Sequence, residues 1–217
     1  MPKRKDPDRP GEPTEAPIGR LSRRGFLKGA GLTMAAVGVQ GPEAIGLGSS
    51  QDMEMLGTDP IDITLSINGT RRKVSVEPRT TLLDLLRDQL EMTGSKRVCN
   101  RATCGACTVL VDGRSTNACT FLAIDGLGAE IRTIEGLAGP DGSLSPIQDA
   151  FVRHDATQCG FCTPGMIMSC TALVSKNPHP TREEIKAGLS GNICRCGTYQ
   201  NIFEAVEDAT RQGGAQR

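Results

Sequence analysis

The sequence CNRATCGACTVLVDGRSTNAC, residues 99–119, holds four cysteines close together in the chain. Four residues separate Cys99 from Cys104, two separate Cys104 from Cys107, and eleven more precede Cys119. This is the spacing of plant-type [2Fe-2S] proteins, in which cysteine thiolates converge on the cluster from one loop. The stretch therefore predicts a [2Fe-2S] site held by these four residues, which we call the first cysteine set.

Two features of this stretch favour a cluster over a zinc ion. Gly105 lacks a Cβ atom, so the loop can turn sharply and a backbone amide can approach a cluster sulfur closely. A structural zinc site usually has C-x2-C pairs in both halves, and the gap of four residues after Cys99 departs from that pattern.

The segments on either side of the first cysteine set predict a small domain of strands with one helix. Alternating apolar residues on both sides of Asn68-Gly69 indicate a β-hairpin, and Asp112-Gly113 indicates a second one. A capping-box pattern at Thr81 and Asp84 predicts a leucine-rich helix that stops at Gly94. The predicted strands are Ile61–Ile67, a segment around Val74 and Val76, Thr108–Val111, Arg114–Cys119 and Ile131–Ile134.

The rest of the chain predicts helices only. Residues 136–142, GLAGPDG, form a Gly/Pro-rich linker. Capping residues then open short helices at Ser145-Pro146, Thr163-Pro164 and Thr181, and a last helix runs from Tyr199 to about Arg211. We predict a ferredoxin-type domain over residues 59–136, a linker over 137–143 and a helical domain over 144–217.

A second cysteine set lies in the helical region, and it consists of Cys159, Cys162, Cys194 and Cys196. By spacing alone it could bind zinc, bind a cluster or form disulfides, and export would make disulfides a serious rival. Position favours a cluster, because Cys162 and the Cys194/Cys196 pair each precede a predicted helix. The positive end of a helix dipole favours a thiolate.

Residues 1–58 indicate a targeting region. The first nineteen residues are charged and proline-rich, so we expect them to be disordered. Arg23-Arg24 then precede Phe26 and a weakly apolar run, Gly29 to Val39, that is too short to span a bilayer. This resembles a twin-arginine export signal and predicts a periplasmic protein, and the alternative is a basic linker before a small amphipathic helix.

Composition excludes several classes of function. The 25 basic and 25 acidic side chains cancel, so the chain lacks the field that nucleic-acid binders use to attract phosphates. No glycine-rich fingerprint for a flavin or nicotinamide and no nucleophile with its base is visible. We therefore expect no substrate-converting site in this chain, no nucleic-acid partner and no stable membrane insertion.

Three strings in this order carry a family resemblance: CNRATCGACTVLVDG (99–113), QCGFCTPGMIMS (158–169) and GNICRCGTYQNI (191–202). Together they resemble the iron–sulfur subunit of the molybdenum hydroxylases, the xanthine dehydrogenase and aldehyde oxidase family, from about Ile61 to Ala209. With the export signal, the likeness is greatest to the periplasmic aldehyde oxidoreductase type. The resemblance implies an α+β protein with an N-terminal β-grasp ferredoxin-like domain, followed by an all-α four-helix domain.

The resemblance also implies ligands and partners. Each cysteine set would hold one [2Fe-2S] cluster, the first nearer a flavin and the second nearer molybdenum. Gln158 and Cys196 would contact the molybdopterin cofactor, which a large partner subunit holds. Electrons from the hydroxylation of an aldehyde or an N-heterocycle would pass through both clusters to an FAD subunit or a cytochrome.

One departure and two rival interpretations accompany this expectation. Where the family often has a glycine in the first loop, this chain has Ala102, whose side chain could shift the loop amides. The rivals are an exported disulfide-stapled binding module without iron and a free-standing soluble ferredoxin. We expect Cys170 to be a buried core thiol, and neither His154 nor His179 to bind a metal.

Overall fold

The computed structural model describes residues 57–213. The twin-arginine motif lies outside the described residues. Within them, no helix is both long enough and apolar enough to cross a membrane.

The N-terminal half is built on a mixed five-stranded sheet. Its strands lie in the order β2-β1-β5-β3-β4; β1 runs parallel to β5, and the other neighbours are antiparallel. The strands are β1 (Ile61–Ile67), β2 (Thr70–Val76), β3 (Thr108–Val111), β4 (Arg114–Asn117) and β5 (Glu130–Arg132). With a helix packed on the sheet, this is the β-grasp arrangement.

Both predicted hairpins are confirmed, and their turns explain why. Asn68 and Gly69 have φ angles of 52° and 71°, and Asp112 and Gly113 have 49° and 73°. Two consecutive residues with positive φ are what a two-residue hairpin turn with the correct twist requires. The turns fix the register, so that Ile63, Leu65 and Ile67 of β1 all face the core.

The predicted helix after Thr81 exists, but its C-terminus differs from the prediction. The Thr81 hydroxyl accepts a hydrogen bond from the Asp84 amide. Helix α1 (Leu82–Asp84) then continues as a π-helical turn over Leu85–Gln89. The helix ends at Leu90, and Glu91 follows with a φ of 57°. Gly94 therefore does not stop the helix. Its amide instead donates to Glu135 Oε1 at 2.8 Å, in a place where a Cβ atom would lie 2.2 Å from Ile134.

The four predicted C-terminal helices are confirmed: α2 (Pro146–Arg153), α3 (Thr163–Lys176), α4 (Arg182–Gly188) and α5 (Tyr199–Gly213). Capping boxes begin α2 and α4, because Ser145 and Thr181 each exchange hydrogen bonds with the residue three positions on. Cys170 is fully buried on α3, as expected.

Two apolar cores lie within this structure. One packs the sheet against the leucines of α1, and the other packs the four helices together. Leu110 of β3 and Leu137 belong to the helical core, so the sheet half supplies part of the packing of the helical half. The exact domain limits stay a prediction. The overall class is α+β, as expected.

Candidate metal centres

The first cysteine set is brought together by the β3–β4 hairpin and the loop before it. Cys107 directly precedes β3, and Cys119 lies just after β4. Because Thr108 pairs with Asn117, the hairpin places the two cysteines side by side, and the Ala118 amide donates to the Cys107 carbonyl at 3.3 Å.

Within this set the thiols contact each other in two pairs. Burial, and then the adjacent Cys119 thiol, raise the pKa of Cys107 to about 12. The Thr103 hydroxyl and the Arg101 amide lower the pKa of Cys99 to about 6, and the Cys104 thiol adds to this effect. Cys107 therefore pairs with Cys119 at the buried side of the loop, and Cys99 pairs with Cys104 at its half-buried side.

Loop amides point at the sulfur atoms of this set. The Ala102 amide donates to Cys119 Sγ at 3.2 Å, and the Thr103 amide donates to Cys99 Sγ at 3.4 Å. Asn100 and Ala102 adopt φ angles of 53° and 56°, in the left-handed region that glycine normally occupies. The Ala102 side chain is thus accommodated, and its amide still reaches a sulfur.

The second cysteine set lies where two helices begin. Cys162 directly precedes α3, and Cys194 and Cys196 lie shortly before α5. The Cys159 thiol contacts Cys196, and the Cys162 thiol contacts Cys194. The first pair is exposed, and the second pair lies deeper.

The free thiols of Cys162 and Cys194 differ in the direction of their pKa shifts. Burial, and then the Cys194 thiol, raise the pKa of Cys162 to about 12, because both disfavour its thiolate. For Cys194, burial also opposes the thiolate, but hydrogen bonds outweigh it and lower the pKa to about 7. Their donors include the Thr198 hydroxyl and amide and the Gly197 amide.

Both sets fit a binuclear cluster. All nine cysteines lie in the described part of the chain, and none is in a disulfide. In residues 57–213, no three His, Cys, Asp or Glu side chains are placed to hold a single metal ion. A [2Fe-2S] cluster instead takes two thiolates at each iron, and thiols in pairs with amides aimed at their sulfurs suit it. The assignment of these eight residues as ligands stays a prediction.

The exposed side of the second set carries apolar surface. Phe161 is 54% exposed and Ile193 is 53% exposed, and each lies beside a cysteine of the set. Gln158, next to Cys159 in the sequence, and Cys196 are both exposed. Exposed large apolar side chains around a candidate redox centre are typical of a surface that a partner covers.

A buried junction connects the loops of the two sets. The Ile193 amide donates to the Cys104 carbonyl at 2.9 Å. The preceding residue, Asn192, is buried. Its side-chain NH2 group donates a hydrogen bond to the Gly105 carbonyl at 3.0 Å, and its side-chain oxygen accepts one from the Ser169 hydroxyl at 2.8 Å. We call Cys104, Gly105, Asn192 and Ile193 the inter-site junction. The role of Asn192 could not be predicted from the sequence, because no local pattern indicates a contact 87 residues away.

Two family models match the chain: the 2Fe-2S iron-sulfur cluster binding domain at residues 65–129 and the [2Fe-2S] binding domain at residues 133–207. The chain is therefore an iron–sulfur protein with two [2Fe-2S]-binding domains. It is 52% identical to the nicotine 6-hydroxylase small subunit of Paenarthrobacter nicotinovorans over 72% of this chain and 94% of that one. The chain belongs to the family of iron–sulfur subunits of the molybdenum hydroxylases. Such a subunit is part of an oxidoreductase complex.

Other relatives agree with this family. The aldehyde oxidoreductase iron-sulfur-binding subunit PaoA of Escherichia coli is 44% identical over 87% of this chain and 88% of PaoA. Among solved structures, quinoline 2-oxidoreductase from Pseudomonas putida 86 matches with a TM-score of 0.69 and 40% identity. That match covers 73% of this chain and 98% of the matched one.

Proposed function

We propose that this chain is the electron-transfer subunit of a periplasmic molybdenum cofactor-dependent oxidoreductase that hydroxylates an aldehyde or an N-heterocycle. Each cysteine set holds one [2Fe-2S] cluster, and these clusters supply one-electron redox chemistry. Electrons pass from the molybdenum centre through the second set and then the first set to an FAD subunit or a cytochrome. The relatives named above act on nicotine, aldehydes and quinoline, which supports both substrate classes.

The observation that carries this proposal is the hydrogen bond between Ile193 and Cys104. Cys104 belongs to the first set, and Ile193 is bonded directly to Cys194 of the second set. A path between the two sets thus runs through the covalent bonds of Cys104, Ile193 and Cys194 and through one hydrogen bond of 2.9 Å. It contains no step between atoms that are neither covalently bonded nor hydrogen-bonded. Such a connection favours electron transfer between them.

The exposed face of the second set supports a large molybdenum cofactor subunit as the partner. Gln158 and Cys196 are both exposed, and we propose that they contact the molybdopterin that the partner holds. Phe161 and Ile193, which precede Cys162 and Cys194 in the sequence, are also exposed and supply apolar area that a partner would remove from water.

The two-cluster proposal is tested by metal content. Protein purified anaerobically is expected to contain about four irons and four acid-labile sulfides per chain. After reduction with dithionite, its EPR spectrum is expected to show two distinct S = 1/2 signals. A preparation without iron, in which the cysteines form four disulfides, would contradict the proposal and support the binding-module rival.

We also propose that the protein is exported by the twin-arginine route. The alignment with PaoA covers 87% of this chain, which is more than residues 57–213, so part of it lies outside that range. That route carries folded proteins and suits cofactors that are inserted before export.

Replacing Arg23 and Arg24 together with lysine is expected to keep the protein in the cytoplasm of a bacterial host, because the double variant keeps the charge but loses the recognised pair. Cell fractionation and immunoblotting measure the distribution. A matched control replaces Arg71 and Arg72, which are both exposed in β2, with lysine. Equal export of both double variants would contradict the proposal.

A further inference from the structure

The sulfur of Cys194 contacts the hydroxyl group of a buried threonine. The Thr198 hydroxyl lies 3.1 Å from Cys194 Sγ. Gly197 makes this possible, because its φ of 86° turns the chain back toward the sulfur in a conformation that a side chain would strain.

The direction of the Thr198–Cys194 hydrogen bond follows from the chemistry of metal binding. A cysteine that binds iron does so as a thiolate and has no proton to donate. The hydroxyl of Thr198 must then be the donor.

Burial makes this hydrogen bond effective. Thr198 is only 4% exposed, so water does not compete for its hydroxyl. In a buried site with low dielectric constant, a hydrogen bond to an anion has a larger electrostatic effect than in water. Thr103, whose hydroxyl bonds to Cys99 in the first set, is exposed to solvent. The two sets thus differ in whether water can compete for the threonine hydroxyl beside them.

We propose that Thr198 is a positioning residue that raises the reduction potential of the cluster in the second set. This inference rests on the proposed function, since it requires a cluster at that site. Reduction adds negative charge to a cluster, and a hydrogen bond to one of its sulfurs stabilises the reduced form more than the oxidised form. Thr198 therefore makes the second set a better electron acceptor relative to the first set.

The test is a redox titration, followed by EPR, of the purified complex that contains this chain. Thr198→Val keeps the side-chain shape but removes the hydrogen-bond donor. In this variant the equilibrium constant for reduction of the second-set cluster is expected to fall about tenfold. For a one-electron couple this corresponds to a fall in potential of about 59 mV. The signal of the first-set cluster should titrate as in the wild type, and Thr198→Ser should restore the second-set potential.

Thr163→Val is the matched control. Its hydroxyl also lies beside the second set, but it bonds to the Thr157 hydroxyl at 2.9 Å and not to a sulfur. An unchanged potential in Thr198→Val, or an equal shift in both valine variants, would overturn the proposal. If Thr198→Val loses iron, Thr198→Ala is titrated with the same expected fall in potential. If both variants lose iron and Thr198→Ser keeps it, Thr198 has a structural role and the proposal is overturned. Wild-type protein without iron would instead refute the two-cluster function itself.

Discussion

Replacing Cys104 with serine is expected to reduce electron delivery to the acceptor by at least about 100-fold, while substrate still reduces the molybdenum centre. The physical reason is the loss of one thiolate ligand, because serine keeps the backbone carbonyl of residue 104. The Cys104 thiol belongs to the first set, and the carbonyl accepts the Ile193 amide at the inter-site junction. Loss of a ligand is expected to exceed the effect of losing an outer-shell partner, which is typically 10- to 100-fold.

Stopped-flow reduction of the purified complex by substrate, with separate detection of molybdenum and acceptor, measures this effect. The iron content should fall toward about two per chain if only the first set is lost. Cys170→Ala is the matched control, because Cys170 is fully buried on α3 and is not a predicted ligand. It should keep full iron content and acceptor reduction. Normal turnover in Cys104→Ser would contradict the proposed electron route.

Replacing Gly165 with alanine is expected to separate the two cysteine sets and destabilise the protein. A Cβ atom on Gly165 would lie 2.1 Å from the Gly105 carbonyl oxygen, which is backbone and cannot rotate away. That oxygen also accepts hydrogen bonds from the Asn192 and Thr108 side chains, at 3.0 Å and 2.7 Å. Overpacking of this kind costs about 3 kcal/mol, from which the better helix propensity of alanine subtracts about 1 kcal/mol.

The expected net loss in free energy of unfolding is therefore about 2 kcal/mol, which lowers the melting temperature by roughly 5 °C. Calorimetry of the iron-loaded protein measures this change. Gly191→Ala is the matched control: Gly191 lies in the same region, and a Cβ atom there would have nothing within 4 Å. That variant should stay within about 0.5 kcal/mol of the wild type. A Gly165→Ala protein that melts with the wild type would show that the tight contact is dispensable.

Local chemistry explains why most of the elements could be predicted from the sequence. The hairpin turns at Asn68-Gly69 and Asp112-Gly113 need positive φ, and these residue types tolerate it. Ser145 and Thr181 begin their helices through hydrogen bonds to residues three positions on. The helix after Thr81 was predicted too long, because its C-terminus is set by a left-handed Glu91. The role of Gly94 depends on packing against Ile134 and Glu135, which are distant in sequence.

The sequence by itself determined the two cysteine sets, since ligand type and spacing are local properties of a loop. Only the tertiary structure decided how these sets face each other. The inter-site junction joins residues 87 positions apart through the Asn192–Gly105 hydrogen bond. Because Gly165 has no Cβ atom, the Gly105 carbonyl can pack closely against it. Such contacts arise when the helical half packs on the β3 side of the sheet, and that packing depends on apolar burial summed over both halves. No local periodicity or turn preference encodes it.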